Sequence, residues 1–130
     1  MFLGLLFFAN AAWAMPITFP VEIVAISTDI RNEKSRERRL ELFTGLIADV
    51  KRRVNDVPEN IPESEIPRVE ALYELNILLG SLKPETLNPM SCPKILSAMV
   101  QMTNPNGIRD SELSPTGRLA LDVVKSVCAP

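Results

Sequence analysis

Histidine is absent from this 130-residue chain. That removes the side chain most used for proton transfer near neutral pH and the commonest metal ligand. Cysteine occurs only twice, at Cys92 and Cys128. Two thiols without histidine cannot assemble an ordinary zinc site, and no Cys-x-x-Cys spacing exists. Aromatics make up only 5% of the residues, and the five glycines stand apart from one another, so no phosphate-cradling loop is present. Charge of one sign is lacking too. The net charge of −2 gives no global attraction to nucleic acid or to anionic membranes. Proline, by contrast, is frequent at 11 residues and falls between apolar periodic stretches, as in short helices separated by stiff turns.

Residues 1–14, MFLGLLFFANAAWA, read as a cleavable secretory signal. Leu3, Leu5, Leu6, Phe7 and Phe8 form a short apolar run, and Ala12-Trp13-Ala14 places small residues at the −3 and −1 positions. Ala9-Asn10-Ala11 is a second cleavage position, and no Lys or Arg stands near the start. The stretch is too short to span a bilayer. Residues 15–130 are expected to form a single helical domain, located in the periplasm or secreted. The absence of an Asn-x-Ser/Thr acceptor favours a bacterial envelope.

The expected fold is all-α: a small four-helix bundle-like domain with a C-terminal helical hairpin closed by one disulfide. Residues 15–30 alternate as a strand would at Val21, Ile23 and Ala25, but no second strand-like run exists to pair with them. An extended arm leading into helix is the preferred reading, with a short helix as the alternative. The first long helix carries Leu40, Phe43, Ile47, Val50 and Val54 on one stripe, widened by Leu42 and Leu46. The charged residues 31–39 extend it into solvent, and Asn55-Asp56-Val57-Pro58 stops it.

A proline-rich linker follows, and Ser64 is expected to cap the second helix, with Pro67 in its first turn. Val69, Leu72, Leu75, Leu79 and Leu82 are its stripe. Ile77 and Leu78 add apolar surface on a further face, so this helix is expected to be the most buried. Ser91 is expected to cap a third helix bearing Ile95, Leu96, Met99, Val100 and Met102, which Asn104-Pro105-Asn106-Gly107 ends. Ser114-Pro115 starts the fourth, with Leu119, Ala120, Val123, Val124 and Val127.

Cys92 begins the third helix and Cys128 ends the fourth. An antiparallel hairpin sets these ends side by side, so a Cys92–Cys128 disulfide is expected. Closing a loop of about 37 residues is worth about 3.5–4 kcal/mol in the chain-entropy account.

Charge is segregated. Residues 31–53 hold eight Lys/Arg against four Asp/Glu, and residues 55–89 hold two against seven. Neighbouring antiparallel helices of opposite charge explain this most simply. A charged face for a protein partner, formed by Arg36, Arg38, Arg39, Lys51, Arg52 and Arg53, is the functional reading. Those clusters lack the aromatics that stack on bases, which argues against nucleic acid. A membrane surface is the less favoured partner.

No catalytic residues, metal site or cofactor are assigned. Glu63, Glu65 and Glu70 fit the first turn of a helix, where acids favour the helix dipole. Ser97, Ser126, Lys94 and Lys125 show no spacing that marks a dyad, and Met90, Met99 and Met102 read as core filling. The function expected is non-catalytic binding of another protein, as an inhibitor, immunity protein or accessory factor of the envelope or secretion machinery. The alternative is a small periplasmic hydrolase or thiol-redox protein with an unrecognised site. The oligomeric state is left open.

Overall fold

The structure is a computed structural model that describes residues 19–103 and 114–130. The expected signal, residues 15–18 of the expected arm and the expected Asn104–Gly107 turn lie outside the described residues. Those described form helices without a strand. In chain order they are α1 (Val21–Asn32), α2 (Arg36–Asn55), α3 (Ile66–Gly80), α4 (Cys92–Thr103) and α5 (Pro115–Cys128), with single 3-10 turns at Glu63–Glu65 and Pro84–Thr86.

α1 is the element beyond the expected four. The described chain enters it through an extended Pro20, whose carbonyl accepts from the Ile23 and Val24 amides at 3.0 and 3.2 Å. Helix wins here because Ile23, Ser27 and Ile30 then share one buried face against α2 and α5, whereas a strand would have no partner.

Contrary to the expectation that the charged residues 31–39 extend the first long helix into solvent, they do not form one continuous helix. The chain breaks at residues 33–35. Ser35 is the N-cap of α2, its Oγ accepting from the Arg38 amide at 3.2 Å, and the Glu33 carboxylate accepts the Ser35 amide at 3.0 Å. Capping satisfies amides that the new helix start leaves open. The expected end of α2 at Asn55 is observed.

Two expected caps are placed differently. Ser64 lies within the 3-10 turn, Glu65 precedes α3 without a side-chain cap, and Pro67 sits in the first turn as expected. Ser91 Oγ turns backward, accepting from the Asn88 amide at 3.1 Å and donating to the Thr86 carbonyl. Asn88 holds the start of α4 instead: its Oδ1 accepts from the Met90 and Ser91 amides at 2.9 and 3.0 Å. Ser114 caps α5 as expected, accepting from the Gly117 amide at 3.0 Å, with Pro115 following.

α5 is the centre of the bundle. It packs against α1, α2, α3 and α4, and buries Ala120, Leu121, Val123, Val124 and Val127. Phe43, Leu46 and Val50 of α2 and Leu75, Leu78 and Leu79 of α3 complete the core around it, with Leu87 from the connection. Each fully buried side chain of this size contributes about 1.5–3 kcal/mol. α4 and α5 run antiparallel, as two observations at opposite ends show. Cys92 and Cys128 are joined at one end, with Cα atoms 5.9 Å apart. At the other, Thr103 lies against Gly117.

Candidate functional site

The six cations of α2 divide between structural and exposed positions. Arg36 and Arg39, one turn apart, turn inward. Arg36 donates to the Leu87 carbonyl. Arg39 is buried, at 5% exposure, and donates to the carbonyls of Glu33 at 2.9 Å, Lys34 at 3.1 Å and Ala129. Arg38 is exposed and pairs with Glu41 at 2.9 Å.

At the far end of the helix Arg52 pairs with Asp49, and Arg53 pairs with Asp49 at 2.8 Å and with Glu22 of α1 at 3.0 Å. Burial pushes the Asp49 carboxyl up, but hydrogen bonds from Arg53 and Arg52, and the charges behind them, outweigh this and hold it below its ordinary value. The hydrogen bond to Asp49 pushes the Arg53 guanidinium higher. Lys51 is exposed, with its side chain beside Gly80. The six residues therefore form no continuous patch: Arg38, Lys51 and Arg52 face solvent at two ends of a helix about 30 Å long. Among the described residues no ion pair joins α2 to α3, so apolar packing rather than charge pairing holds that interface.

The face that stands out is on α3. Ile66, Tyr73 and Ile77 are 40%, 41% and 64% exposed. At 100° per residue they fall on one narrow line that runs about 16 Å along the helix. Glu70 falls on the same line and Glu74 beside it, both exposed. The opposite side of the helix supplies Leu75, Leu78 and Leu79 to the core. The expectation that α3 would be the most buried helix is thus corrected: its second apolar face points outward. The signal was present in the sequence as apolar residues on more than one face.

The methionines divide in the same way. Met99 is core, as expected, while Met90 and Met102 are 91% and 53% exposed.

A second feature is an open apolar groove of about 470 Å³ beside the disulfide, walled by Pro89, Cys92, Pro93, Leu96, Lys125 and Cys128 among others. The Ser126 hydroxyl donates to the Asp122 carbonyl of its own helix at 2.9 Å. Among the described residues no three His, Cys, Asp or Glu side chains gather where a metal could be held, and no helix is long and apolar enough to cross a membrane. No protein family, curated protein or solved structure matches the chain.

Proposed function

We propose that this chain is an exported, non-catalytic protein that binds another protein through the outer face of α3. The observation that carries the reading is the line of Ile66, Tyr73 and Ile77 facing solvent from a helix whose other side is fully engaged in the core. Clusters of exposed apolar side chains on a folded surface mark docking sites, and tyrosine is among the residues that dominate such interfaces. Glu70 and Glu74 border the line, so the complementary surface is an apolar groove with a basic rim. Export is supported by residues 1–14 and by the Cys92–Cys128 bond, which persists in oxidising compartments. An inhibitor, an immunity protein or an accessory factor of the envelope would act in this way.

The test is capture from the protein's own source at physiological salt, run in parallel with Tyr73→Ala and Ile77→Asp. Both substitutions lie outside the core, so the helical circular dichroism stays unchanged. A partner retained by the parent chain and lost from both variants is expected. Equal retention by all three, or retention by none, would count against the α3 face.

A further inference from the structure

The end of the bundle that carries the disulfide is not closed over it. Cys92 and Cys128 both line the open groove, whose walls are otherwise mainly carbon and whose one charged side chain is Lys125. The two cysteines are unequally placed. Cys92 is buried, at 4% exposure, whereas Cys128 is half-buried. Access therefore favours attack on the Cys128 sulfur. Lys125, one turn before Cys128 on α5, is exposed and brings positive charge to the mouth. Cys92 is the first residue of α4, a position that stabilises a thiolate and so makes its sulfur the better leaving group. The end of α5 has a second tether that does not involve sulfur, because Arg39 holds the Ala129 carbonyl. Opening the disulfide thus leaves the two sulfurs near each other.

We propose that Cys92–Cys128 is an exchangeable disulfide, reached through this groove by apolar thiols, with Cys128 the sulfur attacked. The incoming thiol loses its proton to solvent, and its thiolate bonds to Cys128 Sγ. The Cys128–Cys92 bond breaks and its electron pair leaves on Cys92 Sγ. The products are a mixed disulfide on Cys128 and a Cys92 thiolate. One disulfide replaces another, with no net oxidation. The return attack of the Cys92 thiolate on Cys128 Sγ expels the added group as its thiolate, which regains a proton from solvent, and restores the bond.

The oxidised full chain is treated under native conditions with benzyl mercaptan or with 2-mercaptoethanol, in equal excess. These thiols have similar acidity and differ in apolar area. Samples are quenched with acid and mapped by mass spectrometry. The expected result is an adduct on Cys128 with Cys92 free, forming about tenfold faster with benzyl mercaptan because burying its ring favours the complex. Leu96→Asp removes that preference. Pro89→Asp, outside any helix, reduces it without touching the core, which separates an effect on the groove from loss of fold. An adduct on Cys92, or equal rates for the two thiols, would overturn the proposal. So would a preference unchanged in both variants, or a rate that rises with denaturant in step with global unfolding.

Discussion

Arg39 donates a hydrogen bond to the main-chain carbonyl of Ala129, a contact between residues 90 apart in the sequence. The same guanidinium donates to Glu33 and Lys34, just past the end of α1. One buried cation thus joins the α1–α2 turn to the end of α5. Carbonyls at helix C-termini have no partner in their own helix and carry partial negative charge. A planar donor fork satisfies several of them at once, and so offsets the cost of burying the charge.

Arg39→Met is expected to destabilise the fold by about 2–3 kcal/mol, from hydrogen bonds to a charged donor. Arg39→Lys recovers only part of this, since a point-like ammonium cannot reproduce the fork. Chemical denaturation midpoints check both. A cost below about 0.5 kcal/mol for Arg39→Met would mean that the carbonyls find water instead.

Reducing Cys92–Cys128, or replacing both residues by serine, is expected to lower stability by about 3–4 kcal/mol, given a sequence separation of 36. The reduced chain keeps its helical circular dichroism at 25 °C, because Cys92 is only one member of a core otherwise built from aliphatic side chains, Met99 and Phe43 around α5. Intact mass of the protein recovered from its own source tests the proposed export as well: the expected species starts at Met15 and is lighter by two hydrogens than the reduced chain.

Two glycines are expected to respond oppositely to alanine. A Cβ at Gly45, mid-helix and exposed, meets nothing within 4 Å. Gly45→Ala is therefore expected to stabilise by about 0.5–1 kcal/mol through helix propensity. At Gly117 a Cβ comes within 3.2 Å of Thr103 Cγ2 and 3.3 Å of Ser114 Oγ, the atom that caps α5. Gly117→Ala must displace the end of α4 or the cap, and lowers the thermal midpoint.

Asp49 sets an acid dependence. Its pKa is depressed in the folded chain, so its contribution is complete above the ordinary value of 3.8 and is lost as pH falls through the lower folded value. Asp49→Asn removes that part of the acid sensitivity, and its stability falls less steeply than the parent's in this range. Parallel slopes for the two proteins below pH 3.8 would show that the pairs with Arg52 and Arg53 contribute nothing.

Core and surface leucine-type residues separate cleanly. Phe43→Ala and Leu75→Ala, both at fully buried positions, are expected to cost about 3–5 and 2–5 kcal/mol. Ile77→Ala, on the outer face of α3, is expected to stay within about 0.5 kcal/mol of the parent. Urea unfolding of the three variants checks the contrast.

Much of this architecture is legible along the chain because local rules decide it. The stripe of Phe43, Ile47 and Val50 specifies a helix by its period, Pro58 stops that helix, and Ser114-Pro115 starts another through backbone chemistry within four residues. The cysteine pairing belongs to the same class, since helix direction alone brings Cys92 beside Cys128. That α3 is apolar on more than one face was legible, but which of those faces points outward was not. Ile77 and Leu78 are equally apolar, and only the position of α5 determines which of them is covered.

The amino-acid sequence by itself determined four of the five described helices and their main boundaries, because periodicity, capping and proline act over a few residues. It indicated the disulfide because its two cysteines stand at matching ends of consecutive helices. Tertiary structure alone decided that residues 33–35 break the first charged helix and that Arg39 is buried. It also turned Ile66, Tyr73 and Ile77 to solvent. The physical reason is common to all three. Whether a group is buried depends on what distant segments place against it, and the carbonyl of Ala129 reaches Arg39 only after α5 has docked in the centre of the bundle.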